Sequence, residues 1–360
     1  MAAQSIPIRP KKPLVRRMRL DRSQKVRHAV QAAFLALNAL IALQFYLWVR
    51  YFERGGEGLY VPRPAGVEGW LPIAGLMNTK YLLATGRVPL IHPAAMYLFL
   101  GFVSMSLLLK KSFCSWLCPV GTFSEFLAKL GRRIYGRNLR LPRWIDIPLR
   151  GLKYFLLAFF TVFIGFMSAA ALEGFMATPY GLLADVKMLN FFRDISLTAA
   201  LVIGALLLAS TLVQQFWCRY LCPYGALMGL VSLLSTVKIR RDAEACIDCA
   251  KCAKACPSGL KVDKLTQIRS AECTACMACV AACPAENALQ LALPPRHATT
   301  ARERWSRRTV RPLAVAGVLA YILLGVVLFA RATNHWQTHM PKAAYLQLVP
   351  QANRLTHPGL

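Results

Sequence analysis

Cys246-x-x-Cys249-x-x-Cys252-x-x-x-Cys256-Pro257 is followed by Cys273-x-x-Cys276-x-x-Cys279-x-x-x-Cys283-Pro284. This spacing holds a [4Fe–4S] cluster and is written twice; in that pattern the fourth cysteine of each run ligates the other cluster. It assigns Cys246, Cys249, Cys252 and Cys283 to one cluster, and Cys273, Cys276, Cys279 and Cys256 to a second. Iron in a sulfide cage takes soft thiolate ligands. The prolines after Cys256 and Cys283 stop any helix there and fix the turn that aims the crossing thiolate. A zinc knuckle accounts for a lone Cys-x-x-Cys pair, but it has no use for a third close cysteine and a Cys-Pro. A disulfide framework needs an oxidising compartment, which the charge distribution below argues against.

The composition outside this stretch points to lipid. Hydrophobic residues make up 56% of 360, yet Lys and Arg number 44 against 16 Asp and Glu, a formal charge of +28. A soluble chain this basic would suggest nucleic acid. Here the basic residues lie between long apolar runs, as in cytoplasmic loops of membrane proteins, so the lipid bilayer is the expected partner and nucleic acid is not. All 12 cysteines fall in motifs, which suits a metal-binding electron carrier.

Taken in order, residues 1–28 form a basic tail. From Ala29 to about Val49 the chain has the roughly 20 apolar residues that a spanning helix requires. The run is too long for a signal-peptide core and lacks a small-residue cleavage site. Phe45, Tyr46, Trp48 and Tyr51 form an aromatic belt at its far end. Trp70 to Leu83 reads as a short apolar helix, interfacial or re-entrant. Further spans are expected at Pro93–Leu109, Leu152–Leu172 and Ile195–Phe216, within a membrane domain of residues 29–237. A two-cluster ferredoxin module covers residues 238–293 and a basic linker 294–311. A fifth span covers 312–330, and a tail of 331–360 shows little periodicity and reads as extended. The expected fold is mainly α: a polytopic bundle of about five transmembrane helices carrying a small α+β ferredoxin domain.

Charge sets the expected orientation. Residues 1–28, 110–153 and 218–311 hold nine, ten and fifteen Lys/Arg, which is 34 of the 44. Residues 50–91, 173–194 and 331–360 hold five, two and three. Rich and poor segments alternate across the spans, as the positive-inside rule requires. The ferredoxin module is therefore expected in the cytoplasm, and the C-terminal tail in the periplasm of a bacterium, with the chain in the inner membrane.

A second motif occurs twice. Phe113-Cys114-Ser115-Trp116-Leu117-Cys118-Pro119-Val120-Gly121 matches Trp217-Cys218-Arg219-Tyr220-Leu221-Cys222-Pro223-Tyr224-Gly225, each between an apolar span and an apolar-rich helix. Span, Cys-x-x-x-Cys-Pro-x-Gly and helix make an internal repeat. On a helix cysteines at i and i+4 face the same way, so each pair presents two thiols to one point. Cys114, Cys118, Cys218 and Cys222 would then supply four thiolates to a third Fe–S or metal centre. Small buried cysteines or a redox-active thiol pair are the plainer alternatives.

These paired motifs, with the doubled cluster runs after the fourth span, resemble the membrane polyferredoxins of the NapH/NosR/CcoG type over roughly residues 68–290. The Cys-Pro-x-Gly form is closer to the membrane half of the NosR type. The resemblance implies electron transfer between the quinol pool and periplasmic redox partners, or support for assembly of a respiratory oxidase. Two features depart from it: no large external flavin-binding domain is present, and a fifth span with an external tail follows the ferredoxin module.

The functional expectation is a membrane iron–sulfur protein passing electrons between quinol, or a cytoplasmic donor, and a respiratory redox protein. It includes no bond-making catalysis beyond a candidate quinol dehydrogenase step. The alternative is a redox-dependent maturation or regulatory factor for a respiratory metalloenzyme. His92, His335, His339 and His357 are expected on the outer side, as surface or interfacial residues before ligands. Glu173 reads as a solvated loop acid at the outer mouth of the third span. No Cys-x-x-Cys-His supports covalent haem, and Gly55-Gly56-x-Gly58 follows a span rather than a strand, which removes the phosphate-binding rationale.

Overall fold

The computed structural model describes residues 17, 21–139, 141–294 and 308–357, and its regular structure is overwhelmingly helical. Most of the basic tail and of the 294–311 linker lies outside the described residues. Asp21 starts α1 (Ser23–Glu53), its Oδ1 accepting the Ser23 N–H at 2.8 Å. After a 3-10 turn at Ala65–Trp70, α2 (Pro72–Thr85) stands where the short apolar helix is expected. Proline then opens α3 (Pro93–Leu109), the position where its missing N–H costs nothing. Two short turns on, α4 (Ser112–Trp116) and the amphipathic α5 (Pro119–Tyr135) carry the first Cys-x-x-x-Cys motif.

The third expected span is displaced. α6 runs over Arg143–Phe166, beginning and ending earlier than 152–172. Pro142, in extended backbone, sets its start. At its far end the Lys80 ammonium donates to Ile164 O at 2.8 Å, to Gly165 O at 2.7 Å and to Met167 O. These are the carbonyls a helix terminus leaves unpaired. Ser168 then caps the next helix, its Oγ accepting the Ala171 N–H at 3.1 Å. What the sequence offers as a loop over 173–194 is three helices, α7 (Ala169–Ala177), α8 (Pro179–Leu182) and α9 (Ala184–Arg193). α10 (Leu197–Leu212) leads through a π-helical turn, Trp217–Leu221, into α11 (Pro223–Val231).

The ferredoxin module is a two-stranded antiparallel sheet with two short helices. β1 (Lys238–Arg241) pairs with β2 (Leu289–Ala292) in the register Ile239↔Leu291. α12 (Lys251–Ala255) and α13 (Ala278–Ala281) follow the cysteine loops. α14 (Pro312–Ala332) returns the chain along α3. The tail beyond it is not extended as expected: α15 (Lys342–Leu348) and a 3-10 turn, Val349–Arg354, pack on the end of α1. Seven residues are too short to reveal a helical period, and here tertiary packing decides. Tyr345 lies edge-on to Trp48 at 4.9 Å and tilted on Phe52 at 5.5 Å.

Among the described residues three helices are long and apolar enough to cross a membrane: Ser23–Glu53, Arg143–Phe166 and Pro312–Ala332. Ala184–Arg193 with Leu197–Leu212 forms an apolar pair bent by 82°, and Pro93–Leu109 is a shorter apolar helix. Their outward faces carry Phe155, Phe163, Phe166, Leu201, Tyr321 and Leu328, all well exposed. Apolar surface on this scale is stable in lipid and not in water. The protein is a membrane helix bundle bearing an iron–sulfur-type module.

α3 joins two chemically different ends. Its 17 residues span about 25 Å at about 1.5 Å per residue. At its start, Arg63 Nη2 meets Asp185 Oδ2 at 2.6 Å and Glu68 Oε1 at 2.8 Å. His92 Nδ1 lies 3.2 Å from Glu68 Oε1, and its Nε2 lies 2.9 Å from Gly181 O. Thr338 Oγ1 donates to Glu68 Oε1 at 2.8 Å and accepts the His92 N–H at 3.1 Å. Arg63, Glu68, His92 and Asp185 are buried and Thr338 is half-buried, and they come from in or beside the three segments poor in Lys and Arg. At the other end of α3 stand the thiols.

Candidate iron–sulfur sites

Both ferredoxin runs share one local construction. Asp248 and Ala250 flank Cys249 with φ of 56° and 55°, and Ala275 and Met277 flank Cys276 with 50° and 59°. Left-handed backbone at a non-glycine residue costs on the order of 1 kcal/mol or more and persists where a site over-determines it. Alternating right- and left-handed residues turn successive N–H groups inward, a concavity that receives an anion. A short helix then carries the third cysteine. Cys256 caps α12 in extended backbone (ψ 117°), the conformation Pro257 imposes on the residue before it.

The fold interleaves the runs. Cys256, Cys273, Cys276 and Cys279 line one cavity together with the apolar Ile239, Leu260, Val262, Ile268 and Met277. Cys283 has Cys246 and Cys249 as electrostatic neighbours, and Cys252 has Cys283 and Cys246. Cys252, Cys273 and Cys279 are buried, while Cys249 is exposed. Burial raises the Cys273 thiol to about 11 and pushes Cys279 well above its ordinary value. Against burial, the N–H groups of Leu260, Ser258 and Gly259 favour the thiolate form of Cys256.

The paired Cys-x-x-x-Cys motifs also converge, though not on continuous helices. Cys114 lies in α4 while Cys118 caps α5; Cys218 lies in the π-helical turn while Cys222 caps α11. Pro119 and Pro223 force this break, since each starts a helix and holds the preceding cysteine extended. The two cysteines of a pair therefore do not share a helix face, contrary to the expectation from i and i+4. Tertiary packing brings the sulfurs together instead: Cys218 has Cys222, Cys118 and Cys114 as neighbours. Cys222 Sγ accepts the Gly225 N–H at 3.2 Å. Gly121 is required by close approach, because a Cβ there would stand 2.2 Å from Cys114 O.

One wall separates this site from the ferredoxin cavity. Pro257, Ser258 and Thr274 line both, and Lys111, Gln215, Arg219 and Glu272 complete the membrane-side cavity around Cys114 and Cys218. The membrane half grips the loop carrying Cys273 and Cys276. Ser115 Oγ donates to Thr274 O at 2.6 Å, Trp116 Nε1 to Ala275 O at 3.2 Å, and Lys110 Nζ to Ser270 O at 3.1 Å. From α1, Gln24 Nε2 donates to Cys276 O at 2.9 Å. Lys153 Nζ holds Glu272 Oε1 at 2.5 Å.

The donor chemistry fits iron–sulfur clusters. Each set consists of thiols, with N–H donors aimed at sulfur and apolar or cationic surroundings. Burial raises Cys114 to about 12 and Cys118 to about 11. Burial also works against the Lys111 ammonium, yet Cys114, Glu272, Cys222 and Cys218 outweigh it and hold its pKa above the usual lysine value. Neutral thiols leave such a cation uncompensated; metal-bound thiolates compensate it.

Known proteins carry the same arrangement. The family described as 4Fe-4S binding domain matches twice, over residues 91–138 and 195–242, and these are the two halves of the repeat. The 4Fe-4S dicluster domain family matches residues 238–284. YccM of Escherichia coli K12, whose name marks it as a candidate electron transport protein, is 50% identical over 334 residues, 92% of this chain and 91% of its own length. The ferredoxin-type protein NapH of the same organism is 27% identical over 193 residues, 52% of this chain and 61% of that one. The regulatory protein NosR of Pseudomonas aeruginosa is 29% identical over 164 residues, 45% of this chain and 22% of that one. The chain belongs to the NapH/NosR-type family of membrane polyferredoxins. No solved structure matches this polyferredoxin. It is an iron–sulfur electron-transfer protein of the membrane.

Several residues of this polyferredoxin's sites are missed from sequence. Lys111, Glu272, Ser115 and Trp116 carry no spacing signal of their own, and the one available clue is Lys111 standing where the other half has Gln215. His92 is buried in the ion network, the His357 ring lies 5.0 Å from that of Tyr180, and His339 Nε2 is 3.3 Å from Asn334 O. Glu173 lies 3.3 Å from Tyr81 Oη. Among the described residues no three His, Cys, Asp or Glu side chains stand close enough to hold a single ion.

Proposed function

We propose that this polyferredoxin is a membrane-embedded relay holding two [4Fe–4S] clusters and a third centre. Electrons pass along it between quinol, or a cytoplasmic donor, and a respiratory redox protein. Cys246, Cys249, Cys252 and Cys283 would hold the outer cluster, and Cys273, Cys276, Cys279 and Cys256 the inner one. Cys114, Cys118, Cys218 and Cys222 would hold the third. A bound cluster supplies a one-electron couple.

The chain's own part is to hold, order and tune. Cys249, exposed, puts the outer site within reach of a soluble partner. The inner site meets the membrane half through the wall of Pro257, Ser258 and Thr274, which is the observation that carries the reading. Three sites in series, with the inner cluster in the middle, suit stepwise hopping. N–H groups on sulfur and buried cations stabilise the reduced, more anionic state of each centre.

The packing supports the orientation read from charge. The segments rich in Lys and Arg meet at the thiol end, and the poor ones meet around Glu68. We place the thiol end in the cytoplasm and the Glu68 end in the periplasm of a bacterial inner membrane. The domain plan is the membrane domain 29–237, the ferredoxin domain 238–293 and a return helix 312–330.

Iron and acid-labile sulfide on anaerobically prepared full-length protein test this. Two clusters give about eight irons per chain and a third [4Fe–4S] centre about twelve. Rapid EPR-detected reduction by a quinol analogue is expected. Colourless, iron-free protein defeats the reading. Iron without quinol chemistry, and copper binding lost in Cys114→Ser, would favour the maturation factor.

A further inference from the structure

Among the differences between the two halves of the repeat is a buried cation at the four converging cysteines. Lys111 stands three residues before Cys114, and Gln215 stands three before Cys218; both line the cavity between the halves. Lys111 is only 4% exposed. Its Nζ and Cys222 Sγ each come within 3.5 Å of the point where a Gly225 Cβ would lie. The other charges around the cavity are already paired. Arg219 donates to Asp146 Oδ1 and Oδ2, and Glu272 is held by Lys153. Among the described residues Lys111 makes no salt bridge of its own. The chain holds it by force: Lys110, just before it, is bent to φ 61° and ψ −165°, a region otherwise kept to glycine.

We propose that Lys111 sets the reduction potential of the centre held by Cys114, Cys118, Cys218 and Cys222, making that centre the electron sink of the relay. The inference rests on the third-centre reading above. In the step, one electron leaves the reduced inner cluster, which is oxidised by one, and enters the membrane-side centre, which is reduced by one. No bond forms or breaks. A buried ammonium beside the sulfurs stabilises the added negative charge, and little solvent lies between them to screen it. Lys111 is a positioning residue: it tunes the centre without ligating it.

The test is a mediated redox titration of the detergent-solubilised full chain with dithionite and ferricyanide, followed by EPR. The signal that disappears in Cys218→Ser identifies the membrane-side centre. In Lys111→Gln, which copies the other half, its midpoint should fall by at least a tenfold change in the one-electron equilibrium, or 59 mV. Gln215→Lys should raise it, and decides the question if Lys111→Gln does not fold. The two ferredoxin clusters should move less in both variants. An unmoved midpoint in the folded variants overturns the role of Lys111 and leaves the third centre standing. If Cys218→Ser removes no signal, the third-centre reading fails and the proposal falls with it.

Discussion

The two ends of α3 bury polar groups in opposite ways. At its start Arg63, Glu68, Asp185 and His92 form ion pairs with one another within the chain. At its finish twelve cysteines lie among N–H donors and cations, of which Lys111 makes no salt bridge among the described residues. A closed network of opposite charges is a lock, since every member depends on the others. A set of raised thiols beside a buried cation is a holder, complete only with a group that takes thiolates. The same bundle thus carries an end whose charges pair within the chain and an end whose thiols are suited to a guest.

The comparison breaks most visibly at the holder. Cys273→Ser is expected to remove about four irons per chain and one cluster's EPR signal, while the unfolding of the membrane half changes little. If iron content is unaffected, the sulfurs of that cavity are not ligands. Next in size is the lock. Glu68→Gln strips Arg63 and His92 of their shared partner and should cost about 3–5 kcal/mol. Chemical unfolding in detergent would read it, with iron per folded chain unchanged; loss of iron would show that the ends are not independent.

Within the holder, the two repeat halves differ. Gly121→Ala drives a methyl onto Cys114 O and should destabilise by about 1–3 kcal/mol, weakening the membrane-side centre first. Gly225→Ala meets its neighbours at ordinary contact, 3.5 Å or more, and should cost less. Equal effects would erase the asymmetry between halves.

The smallest expected effect is on pH dependence, and it belongs to the lock. Burial opposes the charge on Glu68, but Arg63 and His92 outweigh it and hold its pKa at about 2, below the ordinary 4.5. Its contribution is present above about pH 4.5 and is lost as pH falls toward 2. Burial also opposes the charge on His92, and Glu68 more than offsets it, so its pKa lies above 6.5. That contribution is complete below 6.5 and is lost as pH rises through the folded value. Unfolding midpoints should therefore peak between about pH 4.5 and 6.5 and decline on both sides, with Glu68→Gln flattening the profile. A profile that rises steadily from pH 6 to 8 would contradict the pairing.

Much of the site was legible in the sequence, for a physical reason. The candidate ligands come from a few consecutive loops, so Cys246 to Cys283 and both Cys-Pro-x-Gly motifs stand out by local spacing. Apolar runs are equally local, which is why the helices at 23–53, 93–109 and 312–332 stand near their expected places. The displaced α6 was not readable, because its end is decided by Lys80, more than eighty residues away. Nor was α15, a helix too short to show a period and held by Trp48 and Phe52.

Sequence alone therefore determined which cysteines are candidate iron ligands and that the chain is built of long apolar helices, since both depend on residue type and short-range order. Tertiary structure alone decided that the cavity of Cys256, Cys273, Cys276 and Cys279 shares a wall with that of Cys114 and Cys218, and that Lys111 is buried beside the latter. It also joined Arg63 to Asp185 across 122 positions of chain. Distances between separate helices are fixed by packing, and no spacing rule along the chain encodes them.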